Sequence, residues 1–179
     1  MSDRPDLSRR GFLSGALLTS AGRRELEHRM HPLGPLSPAA RVSGDLDACR
    51  ACVGPCVEAC SVGIVHRHAD DHANPGLAYL DFSSGGCTLC GDCVRVCPAC
   101  DSAVTMPERL GLARIDTQRC VAYQDVICVS CRLGCRTRAV DVDNARRPWI
   151  DAEGCTGCGG CVSVCPVDAI EVAVVPEAP

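Results

Sequence analysis

Cys155-Thr156-Gly157-Cys158-Gly159-Gly160-Cys161-Val162-Ser163-Val164-Cys165-Pro166 decides how this chain folds. Its spacing is C-x2-C-x2-C-x3-C followed by proline. The stretch from Cys87 to Pro98 repeats it, with Cys87, Cys90, Cys93 and Cys97. This is the bacterial run that binds [4Fe–4S] clusters. Three cysteines in one tight loop reach three corners of a cube, and small residues such as Gly157, Gly159 and Gly160 let the backbone curl round it. The loop N–H groups then point at the sulfurs and stabilise their negative charge. The fourth cysteine lies beyond the loop, where the proline suits a turn or helix start, and in two-cluster ferredoxins it ligates the other cluster.

Two looser copies complete an internal fourfold repeat. Cys49, Cys52, Cys56 and Cys60 read C-x2-C-x3-C-x3-C, and Cys120, Cys128, Cys131 and Cys135 read C-x7-C-x2-C-x3-C. The crossing rule assigns cluster I to Cys49, Cys52, Cys56 and Cys97, and cluster II to Cys87, Cys90, Cys93 and Cys60. Cluster III takes Cys120, Cys128, Cys131 and Cys165; cluster IV takes Cys155, Cys158, Cys161 and Cys135. If Cys120, which reaches in across a seven-residue gap, is not a ligand, cluster III becomes a three-iron cluster or is absent. The seventeenth cysteine, Cys100, reads either as a small buried hydrophobe with a free thiol or as a substitute ligand or relay.

The rest of the composition agrees. The chain has 179 residues, 17 of them Cys, and only five aromatic residues. Leu, Ile, Val and Phe make up 40 residues, close to the level below which chains stay disordered. A large apolar core is excluded, so ligation must supply the missing cohesion and the apo chain is expected to be largely unfolded. The odd cysteine count argues against a disulfide framework, and zinc favours paired C-x-x-C units with longer gaps. The net charge is −4, and all 18 basic residues are Arg. No basic stripe interleaved with aromatics suggests nucleic acid, and no apolar run reaches transmembrane length. There is no phosphate-cradling glycine loop and no set of acid, base and nucleophile, which argues against an independent enzyme.

The expected fold class is α+β: two tandem dicluster ferredoxin-like modules with short hairpins and short helices, whose core the [4Fe–4S] clusters supply. Residues 48–107 hold the first module and 108–175 the second. Residues 1–47 form an extension in which 31–38 read as an extended linker, and 176–179 a frayed tail. Strands are expected over 77–82, 112–116, 148–151 and 170–175, and short helices over 94–97, 132–138 and 162–165. Ser8-Arg9-Arg10-Gly11-Phe12-Leu13 is similar to a twin-arginine export signal. Arg23-Arg24 follow a marginally apolar stretch and no A-x-A site lies downstream, so the segment reads as retained. His66, His68 and His72 read as a solvated loop rather than a metal site.

The order of these features resembles one family along nearly the whole chain, the NapF-type ferredoxins. The resemblance is carried by Ser8-Arg9-Arg10-Gly11, by a first motif without its proline and by Cys87 to Pro98. It is carried further by Cys120-Val121-Ala122-Tyr123-Gln124 with Cys128, Cys131 and Cys135, and by Cys155 to Val167. The extra residue between Cys52 and Cys56 departs from the family pattern, and Cys100 has no counterpart in it. The resemblance implies a cytoplasmic iron–sulfur accessory protein of the periplasmic nitrate reductase system. It would partner the unexported catalytic subunit and load its [4Fe–4S] cluster. A soluble electron carrier or electron-transfer subunit is the alternative.

Overall fold

The computed structural model of this protein describes residues 33–70, 72 and 74–173. The twin-arginine-like segment, the tail 176–179 and the last two residues of the expected strand 170–175 lie outside the described residues.

The first half is built round a three-stranded sheet in the order β1-β3-β2, with β1 Leu33–Leu36, β2 Val65–Arg67 and β3 Ala78–Asp81. β2 and β3 are antiparallel, with Val65 opposite Leu80 and His66 opposite Tyr79. Alternation does the rest: Ala78 and Leu80 turn inward and are buried, while Tyr79 turns outward. The linker reading of 31–38 is therefore corrected from Leu33 onward. The strand β1 leads into helix α1, Pro38–Ser43, whose N-cap Ser37 accepts a hydrogen bond from Ala40 N at 3.2 Å. Proline at the first helical position and a serine cap form a strong start signal. It overrides the extended reading because Ala39 and Ala40 bury against the core. Helix α2, Leu46–Ala51, is capped by Asp45, and α3, Pro55–Glu58, is a single turn inside the first cysteine motif.

The second half has two antiparallel pairs. β4 Leu112–Ile115 pairs with β7 Ile170–Ala173, and β5 Val140–Val142 with β6 Pro148–Ile150. Each expected strand is present; 77–82 loses a residue at both ends, and 112–116 and 148–151 lose their last residue. The helices shift: α4 covers Asp92–Arg95 rather than 94–97, and α5 covers Ser130–Gly134 rather than 132–138. Residues 161–164 form a turn, not a helix. Val162 N and Ser163 N both bond the Gly159 carbonyl, and no i→i−4 ladder develops. A 3-10 helix, Val121–Gln124, fills the wide gap of the third motif. Among the described residues no strand lies between Asp81 and Leu112, so the first half lacks a counterpart of the β4–β7 pair.

From Gly34 onward the chain forms one unit. Its core is small, and Phe82, Ile64, Leu80 and Leu110 are its largest fully buried apolar side chains, with cysteines completing it. The halves meet through backbone. Cys87 N–H donates to the Cys158 carbonyl at 2.7 Å. Gly159 takes φ +77°, and a Cβ there would lie 2.1 Å from the Phe82 ring. Gly159→Ala therefore combines a left-handed backbone penalty with overpacking against a buried ring, about 2–5 kcal/mol together. Gly63 has φ +71° with nothing within 4 Å of a Cβ. Gly63→Ala costs only the backbone part, about 1 kcal/mol. Anaerobic guanidinium unfolding of the two holo-variants checks the contrast; equal midpoints would mean that the halves are not packed this way.

His66 lies in β2 rather than in a loop. His68 is sandwiched, its ring centroid 3.8 Å from His72 and 4.2 Å from Tyr79, both stacked. Asn74 N–H donates to His72 Nδ1 at 3.0 Å, which fixes that ring. Burial first, and the neighbouring His72 second, hold the His68 pKa below the usual 6.5. The neutral ring is thus the one the fold prefers. Its contribution is fully present above pH 6.5 and is lost as pH falls from there through the lowered folded value. An NMR titration should find His68 protonating below the usual 6.5, and an ordinary value would contradict the stack.

Candidate iron–sulfur centres

Each cysteine motif delivers its sulfurs in two directions because a short helical turn separates the third cysteine from the fourth. In the first half Cys56 sits within α3 and Cys60 just past it; Cys93 sits within α4 and Cys97 just past it. The turns lie side by side, so each offers one cysteine to either flank. The second half repeats the device, with Cys131 within α5 and Cys135 just past it, and with Cys161 on the turn 161–164 and Cys165 just past it.

Four cavities result, each walled by four cysteines. Cys49, Cys52, Cys56 and Cys97 surround one of about 370 Å³. Cys60, Cys87, Cys90 and Cys93 surround a second of about 350 Å³. Cys120, Cys128, Cys131 and Cys165 surround a third of about 330 Å³. Cys135, Cys155, Cys158 and Cys161 surround a fourth of about 300 Å³. These groupings coincide with sets I to IV above. Cys120, across its long gap, reaches the third cavity from the N-terminus of the 3-10 helix. Cys100 lines none of the four; its thiol faces the Ala39 carbonyl at 3.6 Å.

The electrostatics carry the same grouping. Burial pushes the Cys161 thiol up to about 12, and Cys158, Cys155 and Cys135 add to it. Cys93 rises to about 11 through burial, against a backbone hydrogen bond from Ala39, with Cys87, Cys56 and Cys60 as further causes. Cys56 is raised by burial and then by Cys49, Cys97 and Cys52, the other three of its set. Cys131 is raised by burial, with Cys120 and Cys128 adding. Crowded thiols of this kind keep their protons until cations replace them. Cys135 goes the other way. Burial raises it, but the Thr137 hydroxyl and the N–H groups of Val140, Ala139 and Thr137 outweigh that and lower it.

The fit to a cluster rests on two observations. Backbone N–H groups already point at sulfur: Gly54 to Cys52, Leu89 to Cys87, Ala139 to Cys135 and Ala169 to Cys165, at 3.2–3.4 Å. Thr156, beside Cys155, has a buried hydroxyl with no hydrogen-bond partner, and it lines the fourth cavity. A donor left unpaired in a cysteine-lined space suits an acceptor such as a bridging sulfide. Leu89, at the position matching Gly157, takes the same left-handed backbone, φ 60° against 67°, so the loop geometry is kept even where a side chain opposes it.

The cavities also have an order in space. Sets I and II share α3 and α4, and sets III and IV share α5 and the turn 161–164. The Cys87–Cys158 hydrogen bond joins set II to set IV, and the Cys158 charge also reaches Cys87. The succession is I–II–IV–III, with the two loosely spaced sets at its ends. Sequence reasoning did not reach this order, which depends on long-range packing alone.

Comparison with known proteins agrees with the chemistry. Residues 48–101 match the 4Fe-4S dicluster domain and residues 148–171 the 4Fe-4S binding domain. The third motif lies outside both matches, yet the fold gives it the same arrangement. The ferredoxin-type protein NapF of Escherichia coli (strain K12) is 29% identical over 169 residues, covering 92% of this chain and 93% of the relative. The ferredoxin-type protein NapG of the same strain is 27% identical, covering 98% and 88%. The methylamine utilization ferredoxin-type protein MauM of Methylobacillus flagellatus is 31% identical over 158 residues, covering 78% and 67%. The chain binds [4Fe–4S] clusters and belongs to the ferredoxin-type iron–sulfur proteins, whose members include MauM and, at slightly lower identity, NapF and NapG.

Proposed function

We propose that this chain carries four clusters in two modules and acts in the cytoplasm. There it would load the iron–sulfur cluster of the periplasmic nitrate reductase catalytic subunit before export. The observation that carries the reading is the relationship to NapF along 92% of the chain. In this reading sets I to IV are the ligands. Residues 48–107 and 108–175 are the modules, 1–47 an extension and 176–179 a tail. Bound clusters supply one-electron redox chemistry and a source of iron and sulfide. The chain's own part is to hold them with graded firmness. The tightly spaced sets II and IV lie in the middle of the succession, and the loose sets I and III lie at its ends, where release to a partner is least obstructed.

The test is an anaerobic reconstitution with purified holo-protein and the unexported, cluster-free catalytic subunit. The expected result is stable association and cluster gain by the subunit only when this protein is present. A subunit that binds nothing, or gains its cluster equally well alone, overturns the reading. A second reading, an electron carrier, is favoured by one specific contact. The Cys87–Cys158 hydrogen bond brings sets II and IV together across the halves and makes the four sites continuous. Rapid reduction of an acceptor by the reduced holo-protein, without loss of iron, would favour it.

A further inference from the structure

The outside of the third cavity carries a run of exposed apolar side chains. Within eight consecutive residues around Cys128 and Cys131, Val126, Ile127 and Leu133 are 54%, 71% and 82% exposed. Leu133 N–H bonds the carbonyl of Val129, the N-cap of α5, so Leu133 lies one turn beyond it. The neighbouring Arg132 reaches Asp141 on β5 at 3.6 Å. Asp141 sits opposite Trp149, which is half exposed on the outer face of the β5–β6 pair. Exposed apolar side chains thus flank α5 from Val126 to Leu133, and the half-exposed Trp149 lies beyond the Arg132–Asp141 ion pair, so that an apolar ridge with a charged break marks this face. Exposed large side chains that adjoin in this way mark interaction sites more than scattered ones do.

The charge around the ridge is distinctive. Residues 132–147 hold five arginines and two aspartates, although the chain as a whole is acidic. Among the described residues only Arg132 of those arginines has an acidic partner. Arg136 and Arg138 are exposed directly after α5, and Arg147 lies over the Tyr123 ring at 5.8 Å. Residues 45–108 are the reverse, with nine acidic residues and three arginines.

We propose that this ridge is a docking surface for a different protein that presents an acidic rim around an apolar centre, seated at the set III end of the cavity succession. Residues 1–32 do not suit it, because they carry six arginines against four acidic residues and are themselves positive. A second copy would have to offer its acidic half to this basic half. In such a contact this basic ridge would meet the acidic half and not its own counterpart, which leaves the apolar side chains of the ridge facing a charged surface instead of each other. An acidic foreign surface satisfies the unpaired arginines, buries the ridge and lies beside the cavity whose motif is most loosely spaced. Arginines and aromatics are the side chains that anchor such interfaces.

The proposal rests on the function proposed above, because its probe is the unexported nitrate reductase catalytic subunit. Binding to immobilised full-length holo-protein is measured anaerobically at two salt concentrations, with the iron content of every variant checked. Wild-type protein should bind more weakly at high salt. Ile127→Ser combined with Leu133→Ser, and Arg136→Glu combined with Arg138→Glu, should each weaken binding at least tenfold at unchanged iron content. Val53→Ser, at a 93% exposed position near set I, should leave it unchanged. Hydrogen exchange at 126–133 should slow only in the complex. Wild-type binding that the ridge variants do not weaken overturns the docking surface and leaves the proposed function standing. No wild-type binding overturns both. Slow exchange at 126–133 in the protein alone, or concentration-dependent sedimentation, assigns the ridge to residues 1–32 or to a second copy and overturns the foreign partner.

Discussion

Removing iron from the anaerobic holo-protein with a chelator unfolds the region from Gly34 onward, with loss of circular dichroism and of slow amide exchange. The physical reason lies in what remains. Four cysteine-walled cavities of about 300–370 Å³ each separate short elements, and the helices are one or two turns long, too short to persist alone. The core that survives is built mainly of Ala, Val and small clusters round Leu80 and Phe82. A domain of this size holds only about 5–15 kcal/mol in reserve, and each emptied cavity leaves its lining without contacts. Metal binding and folding are then one equilibrium. Exchange protection that survives chelation in β3 and α1 would show that the apolar core suffices, against this account.

The second large effect is an exchange of ligands between motifs. If the cavities hold clusters, Cys60→Ala removes the cluster of the motif it does not belong to, set II, and leaves set I. Each single loss takes roughly four iron atoms. Cys60→Ala with Cys87→Ala should lose no more iron than either alone, because both changes act on one site. Cys60→Ala with Cys56→Ala should lose about twice as much, because they act on two. This non-additivity within a site and additivity between sites is the signature of crossed sets. The matching pair in the second half is Cys165→Ala with Cys128→Ala against Cys165→Ala with Cys161→Ala. Iron analysis and the electron paramagnetic resonance of the reduced variants read the outcome. Additivity within Cys60 and Cys87 would instead place all four cysteines of a motif on one cluster.

How much of this was legible in the sequence depends on the range of the interaction concerned. Cluster loops are local: Cys155 to Cys161 must fit one loop, so spacing alone carries the chemistry. The strands over 112–116 and 148–151 were legible for a similar reason, since β-branched and aromatic residues bounded by breakers need no distant partner to be recognised. Residues 162–165 were misread as helix because Gly159 and Gly160 favour the turn that curls the loop, and that preference carries through 161–164. The strand β1 was misread because Leu33-Gly34-Pro35-Leu36 has the composition of a linker. Only pairing with β3 makes it part of a sheet.

By itself, then, the sequence determined the cofactor type, the fourfold repeat and the small core, because the spacing of cysteines within one loop is fixed by covalent geometry over a few residues. Tertiary structure alone decided that set II meets set IV at Cys87 and Cys158, that Gly159 must make room for Phe82, and that an apolar ridge with unpaired arginines lies beside set III. Each of these depends on residues some 8 to 80 positions apart meeting in space. Nothing in a local pattern records which of them will.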